Sequence, residues 1–246
     1  MPPMIENSSQ SPVFFQPGVY AITPEQKNTD LLITQVQQAL QGGVSVVQYR
    51  NKTAKPAEKA EQARCLLELC QRFSVPLIIN DDVHLAQKIA ADGVHLGGDD
   101  MSLAKARAIL GAKSIIGISC YNDLTKAQDA AQRGANYLAF GSCFSSTTKP
   151  SAVRCPPLVL QAALAWLEEF WQEKSRPAAH PHTDGRLTQP ALVAIGGITA
   201  ENGASLVNMG IQSLAVISDL FNAPNIQQRA KQYQQIFTQY QLQGRV

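Results

Sequence analysis

One event recurs along the chain. A short run rich in Val, Ile and Ala ends abruptly, and polar or glycine-rich residues begin where it stops. Val44-Ser45-Val46-Val47 leads into Gln48-Tyr49-Arg50-Asn51-Lys52, and Pro76-Leu77-Ile78-Ile79 into Asn80-Asp81-Asp82. Gly93-Val94-His95-Leu96 leads into Gly97-Gly98-Asp99-Asp100, and Ile115-Ile116-Gly117-Ile118 into Ser119. Tyr137-Leu138-Ala139-Phe140 leads into Gly141-Ser142, with Thr147-Thr148-Lys149 close behind. Leu192-Val193-Ala194-Ile195 leads into Gly196-Gly197, and Leu214-Ala215-Val216-Ile217 into Ser218-Asp219. Runs that are apolar throughout, without a two-residue alternation, suit strands covered on both faces. If they are parallel strands of one closed sheet, all of this chemistry gathers on one face.

The predicted strands are 18–22, 44–50, 76–80, 93–96, 114–118, 136–140, 191–195 and 213–217. Between them lie predicted amphipathic helices at Leu31–Leu40, Pro56–Phe73, Val83–Ala91, Leu103–Leu110, Leu124–Arg133, Pro157–Trp171, Ala200–Met209 and Ile226–Tyr240. Leu32, Val36 and Ala39/Leu40 form one helical stripe, and Pro56 suits a first helical position. The helix-to-strand joints Gln41-Gly42-Gly43, Asp92-Gly93, Arg133-Gly134 and Met209-Gly210 each place Gly where a left-handed residue ends a helix. Eight such units predict an α/β fold, a (β/α)8 TIM barrel in a single domain; a doubly wound open sheet is the alternative. Residues 1–16 read as a flexible N-terminal arm and 17–246 as the barrel domain. The polar, Pro-rich stretch 172–190 reads as a loop insertion away from the strand tips, because it joins a helix to the next strand. His180 and His182 lie in it without further metal ligands nearby.

Bulk properties narrow the function. The net charge of +2 argues against nucleic acid as a partner, and no apolar run approaches the ~20 residues of a membrane span. The five cysteines (65, 70, 120, 143 and 155) are odd in number and form no C-x-x-C pair. That fits free thiols and a cytoplasmic location. A homo-oligomer is compatible with the sequence.

Asp81 and Asp100 each stand after a strand and before a helix. Alone, either of them, or the neighbours Asp82 and Ser102, reads as a helix N-cap. Together, on adjacent tips, two carboxylates form a hard oxygen site of the kind that holds Mg²⁺ with phosphate and water. Gln48, Arg50 and Lys52 share one face of an extended strand, where an amide and two cations suit a phosphate group; a solvated strand end is the plainer reading. The 141–149 loop offers Ser and Thr hydroxyls before Lys149. Gly196-Gly197 and Ile217-Ser218 offer backbone N–H groups to a second phosphate, or simply a tight turn. His95 reads as a satisfied interior histidine and His84 as exposed. Cys120 and Cys143 lack a histidine partner for nucleophilic catalysis.

In their order and spacing these motifs resemble the thiamine-phosphate synthase family. The resemblance runs from Gly18 to Phe221 and rests on Gln48-Tyr49-Arg50-Asn51-Lys52, Asn80-Asp81, Ala91 to Gly97 followed by Asp100, Gly117-Ile118-Ser119, Ser146-Thr147-Thr148-Lys149, Ala194 to Ile198 and Val216-Ile217-Ser218. It implies a Mg²⁺-dependent transferase that joins 4-amino-2-methyl-5-hydroxymethylpyrimidine diphosphate to thiazole phosphate or its carboxylated form. Thiamine phosphate and diphosphate are the products, with CO₂ from the carboxylated substrate. It further implies that Gln48, Arg50, Lys52, Asn80, Ser119 and Lys149 hold the pyrimidine diphosphate and that Asp81 and Asp100 hold the metal. Ser146, Thr148, Gly197, Ile217 and Ser218 would hold the thiazole phosphate. Arg50, Lys52, Ser119 and Lys149 carry the catalytic roles. The implied displacement is dissociative and needs no general base.

The chain departs from the family pattern at three positions: Ser146 replaces a Thr, Gly98 replaces a Gln, and Tyr121 replaces a His. Two alternatives follow from the same resemblance. A thiazole tautomerase would share the barrel but rely on a histidine where Tyr121 stands. A non-catalytic regulator would bind thiazole phosphate without releasing diphosphate.

Overall fold

The computed structural model of the chain describes residues 15–145, 153–174, 189–242 and 244. The strands are β1 (Gly18–Ile22), β2 (Val46–Tyr49), β3 (Leu77–Asn80), β4 (Gly93–Leu96), β5 (Ile115–Tyr121), β6 (Tyr137–Phe140), β7 (Ala191–Ile195) and β8 (Ser213–Val216). The helices are α1 (Thr29–Gln41), α2 (Pro56–Arg72), α3 (Val83–Ile89), α4 (Leu103–Leu110), α5 (Leu124–Gln132), α6 (Pro157–Lys174), α7 (Ala200–Met209), α8 (Ser218–Phe221) and α9 (Ile226–Leu242). All strands are parallel, and β1 pairs with both β2 and β8, which closes the barrel. The open-sheet alternative is thereby excluded.

Alternate strand residues divide between two cores. Val19, Ala21, Val47, Leu77, Ile79, Val94 and Leu96 face the helices. Tyr20, Ile22, Val46, Ile78, Ile115, Tyr137, Val193 and Ala215 fill the interior. Both faces are therefore apolar, which is why the strands read as unbroken hydrophobic runs. Phe15, three residues ahead of β1, packs on the interior cluster, its ring stacked 4.6 Å from that of Tyr137.

Three differences from the sequence reading have local causes. Strand β2 ends at Tyr49, so Arg50 and Lys52 belong to the following loop and not to a strand face. Helix α6 continues to Lys174, so the first three residues of the 172–190 stretch are helical, while 175–188 (with His180 and His182) lie outside the described residues. At the Asp92-Gly93 joint the left-handed residue is Ala90 (φ +54°), not Gly93. Gly93 is required for packing instead, since a Cβ there would stand 1.9 Å from the carbonyl oxygen of Ile115 on the next strand. Among the described residues, no helix is long and apolar enough to cross a membrane, and all five cysteines are free.

Candidate active site

Barrel closure brings the strand tips together. Asp81 follows β3 in a left-handed conformation (φ +64°), its N–H donating to the His95 carbonyl at 2.8 Å. The capping duty falls to its neighbours. Asp82 accepts from Leu85 N–H at the start of α3, and Ser102 accepts from Lys105 N–H at the start of α4. Asp81 and Asp100 are thus released from capping, and their carboxylates come close enough to interact directly. Burial, then Asp100, push the Asp81 carboxyl above its ordinary range, while Lys52 pulls it back. A carboxylate whose charge is disfavoured by burial and by a second carboxylate beside it suits a hard cation placed between the two. Among the described residues no group of three or more His, Cys, Asp or Glu could hold a metal, so a cation here would draw its remaining ligands from substrate and water.

The two cations after β2 are placed by loop contacts and not by strand alternation. Asn51 is buried and its Oδ1 accepts from Thr53 and Ala54 N–H, which curls the loop after β2. Its Nδ2 donates to Gln26 O and Gln62 Oε1. The Arg50 guanidinium lies 3.0 Å from Glu25 Oε1, and its backbone N–H donates to Thr23 Oγ1. Lys52 Nζ lies 3.3 Å from Asp81 Oδ2. Gln48 remains on the strand and points into the barrel.

Inside the mouth a continuous polar chain crosses the barrel. Gln48 Nε2 donates to the Tyr20 hydroxyl at 2.8 Å, and the Tyr20 and Tyr137 hydroxyls are 2.7 Å apart. Tyr137 Oη lies 2.9 Å from His95 Nδ1, and His95 Nε2 lies 2.8 Å from Ser119 Oγ. His95 is the satisfied interior histidine that the sequence suggests. Burial lowers its pKa to about 4, so the ring is neutral at neutral pH. The chain links Gln48 on β2 to Ser119 on β5. It depends on Gly117, whose Cβ would stand 1.8 Å from the Tyr137 ring; only a residue without a side chain lets that ring lie across the interior. Asn80 ends β3 in register with His95. His84 is exposed, and burial raises Cys120 and Cys143 to about 12, leaving both as inert thiols.

The last two tips form the other half of the mouth. Gly197 has φ +63°, and a Cβ on it would stand 2.2 Å from the Ser145 carbonyl, so the turn after β7 presses directly on the loop after β6. Asn202 Nδ2 holds the Gly197 carbonyl at 3.0 Å. Ile217 precedes α8 and Ser218 begins it. This short helix is anchored from behind by Arg229, which bonds both oxygens of Asp219 (2.8 and 2.6 Å) and both of Glu201 (2.7 and 3.0 Å). Tyr233 adds a hydroxyl bond to Asp219 at 2.6 Å. Ser146, Thr148 and Lys149 lie outside the described residues.

Several functional neighbours carry no signal in the sequence. Glu25, Tyr20, Tyr137 and Arg229 lie in segments that read as loop, core or helix surface. Gly98 and Tyr121, two of the departures from the family pattern, are in contact: Gly98 N–H donates to the Tyr121 hydroxyl at 3.2 Å.

The chain is similar to known proteins over most of its length. A family model described as thiamine monophosphate synthase matches residues 19–220. The chain is 46% identical over 220 residues to the thiamine-phosphate synthase of Methylobacillus flagellatus, covering 89% of this chain and 95% of that protein. It is equally similar, at 46% over 220 residues, to the thiamine-phosphate synthase of Azoarcus sp., covering 89% and 97% of the two chains. Among solved structures it resembles the thiamine phosphate pyrophosphorylase of Pyrococcus furiosus, with a TM-score of 0.73 and 27% identity over 90% of this chain and 96% of that one. The likeness to 3-hexulose-6-phosphate synthase of Salmonella typhimurium (TM-score 0.61, 16% identity, 90% of this chain and 99% of that one) concerns the fold alone. The family match over most of the chain, the identity to curated relatives and the shared barrel together make this chain a member of the thiamine monophosphate synthase family, a family of transferases.

Proposed function

We propose that this protein couples the aminopyrimidine diphosphate to thiazole phosphate, or to its carboxylated form, releasing diphosphate (and CO₂ from the carboxylated form) and forming thiamine phosphate. The observation that carries the reading is the juxtaposition of Asp81, Asp100 and Lys52 at one side of a mouth whose other side is built from Gly197 and the start of α8. One side suits a metal-bound diphosphate and the other a phosphate monoester. The substrates are small molecules, and the cytoplasm, where such phosphorylated intermediates are kept, is the compartment we assign.

In this mechanism Asp81 and Asp100 would hold Mg²⁺, which would supply neutralising charge for the departing diphosphate. Arg50, aligned by Glu25, grips the diphosphate as a fork, and Lys52 exchanges its bond to Asp81 for one to a phosphate oxygen. Lys149 adds a third cation from the loop after β6. The bond between the pyrimidine methylene carbon and its diphosphate oxygen breaks, and the electron pair leaves with the diphosphate. The electron-rich aminopyrimidine stabilises the methylene cation, and the thiazole nitrogen supplies the pair that forms the new C–N bond. That nitrogen carries no proton, so no base is required, in keeping with a buried neutral His95. Gln48, Asn80 and Ser119 orient the pyrimidine. Ser146, Thr148, Gly197, Ile217 and Ser218 hold the thiazole phosphate. Tyr121 in place of a histidine speaks against the tautomerase alternative.

The test is a product assay on purified protein with Mg²⁺ and both substrates, run with and without chelator. Thiamine phosphate and stoichiometric diphosphate are expected only without chelator. A folded protein that forms neither product refutes the reading, and tight binding of thiazole phosphate without diphosphate release would indicate the regulator instead.

A further inference from the structure

The turn after β4 uses its first two amides differently. Gly97 N–H donates to Asp100 Oδ2 at 2.6 Å, which curls the turn around the carboxylate. Gly98 N–H donates to the Tyr121 hydroxyl at 3.2 Å. Tyr121 is the last residue of β5, the strand beside β4. Its hydroxyl therefore ties the turn that carries Asp100 to the neighbouring strand tip.

Tyr121 occupies this position against its own preferences. Its φ is +57°, a left-handed conformation in which a Cβ crowds the following carbonyl oxygen. Its side chain is 42% exposed, so burial offsets little of that crowding. The register between β5 and β6 shifts between Ser119 and Tyr121, which breaks the strand's alternation just where the ring must turn toward the mouth. Lys126 Nζ, from the first turn of α5, stands 4.7 Å from the ring centroid and holds it from outside. A Cβ on Gly98 would come within 3.4 Å of the Tyr121 hydroxyl and 3.6 Å of Lys126 Nζ. Both are ordinary van der Waals distances, so position 98 lies against the ring and the ammonium without crowding them. An exposed aromatic in a strained backbone conformation, bonded through its hydroxyl to the turn that carries a carboxylate, serves the geometry of that turn more than the stability of the fold.

We propose that Tyr121 is a positioning residue for Asp100: by accepting from Gly98 N–H, its hydroxyl sets the 97–100 turn so that the Asp100 carboxylate is held beside Asp81 to share one divalent cation. The inference rests on the reading of Asp81 and Asp100 as metal carboxylates. The link is the bond itself, by which the Tyr121 hydroxyl fixes the Gly98 amide and through it the turn.

The experiment is a titration of the full chain with Mn²⁺, followed by electron paramagnetic resonance without substrates, on wild type, Tyr121→Phe and Asp100→Asn. Tyr121→Phe keeps the ring and its contact with Lys126 and removes only the oxygen. Its Mn²⁺ dissociation constant is expected to rise about 5-fold, the equivalent of one neutral hydrogen bond, with an unchanged melting temperature. In turnover, the Mg²⁺ concentration for half-maximal rate rises by a similar factor, and by more than kcat falls. Tyr121→Phe that binds Mn²⁺ as tightly as wild type overturns the proposal, as does a variant whose sole defect is a lower melting temperature. Asp100→Asn separates this from the parent reading. A wild type that binds no Mn²⁺ either alone or with inorganic diphosphate present, or an Asp100→Asn variant that binds it equally well, removes the metal assignment and the proposal with it. Loss in Asp100→Asn together with unchanged binding in Tyr121→Phe removes the role of Tyr121 alone.

Discussion

Lys52 Nζ lies 3.3 Å from Asp81 Oδ2, so a cation assigned to the diphosphate and a carboxylate assigned to the metal are paired with each other on one side of the mouth. Both groups are partly exposed, which makes the pair weak and exchangeable. Lys52 lowers the Asp81 pKa against burial and Asp100, which raise it. Replacing Lys52 by Met therefore moves the acid limb of the Mg²⁺-dependent rate to higher pH, because Asp81 then gives up its proton later. A pH–rate profile at fixed Mg²⁺ checks the direction. An acid limb that stays in place or moves down would count against the pairing.

Removing the metal carboxylate itself should be more severe. Asp81→Ala is expected to lower kcat/KM by about 100-fold or more at saturating Mg²⁺, since electrostatic stabilisation of the leaving group is the main catalytic contribution here. The helix cap at Asp82 is untouched, so the variant should fold. Steady-state kinetics beside a thermal melt distinguish lost turnover from lost structure.

The hydrogen-bonded chain across the barrel is a structural commitment. Tyr137→Phe leaves both the Tyr20 hydroxyl and His95 Nδ1 short of a partner and should cost about 1–3 kcal/mol. Gly117→Ala drives a Cβ to 1.8 Å from the Tyr137 ring and should cost about 3 kcal/mol or more, since neither ring nor strand has room to move. Urea unfolding measures both, and Gly117→Ala at wild-type stability would show that the ring does not lie there.

His95 makes stability depend on pH with a definite sign. Its folded pKa of about 4 lies below the ordinary 6.5, so between these values the unfolded chain binds the proton and the folded one does not. Stability contributed by the neutral ring is fully present above pH 6.5 and is lost as pH falls toward 4. Allowing for partial opening of the residue to the mouth, the loss attributable to this ring is about 2 kcal/mol. The difference between wild type and His95→Gln in unfolding free energy at pH 7 and pH 5 isolates it. A wild type no more acid-sensitive than the variant would contradict the assignment.

The clamp behind α8 should affect both stability and one substrate. Arg229→Met strips the paired carboxylate of Asp219 of its cation and is expected to cost about 2–4 kcal/mol. Because Ser218 begins the helix that Asp219 anchors, KM for thiazole phosphate should rise more than KM for the pyrimidine diphosphate. Equal changes in the two constants would place the clamp's role in folding alone.

Local pattern along the chain is enough to place eight strands in order but not all of their ends, since β2 stops at Tyr49 and β5 runs on to Tyr121. Buried parallel strands and the Gly-containing returns are local patterns, so β1 and α4 fall at their expected boundaries without knowledge of any contact. The sequence also singled out Asp81 and Asp100, but could not say whether they or Asp82 and Ser102 cap the helices, because all four satisfy the same local rule. The tertiary structure decided that by seating Asp82 and Ser102 on the first turns of α3 and α4. It likewise moved Arg50 and Lys52 from a strand face to a loop curled by Asn51 and aligned by Glu25. Tyr20 and Tyr137 are 117 residues apart and meet only because the sheet closes and Gly117 leaves room for the ring. Periodicity is written in neighbouring residues and can be read from them. The partnership of Tyr121 with Gly98, like that of the two tyrosines, is a consequence of closure, which brings adjacent strand tips within hydrogen-bond reach and leaves no mark on either segment alone.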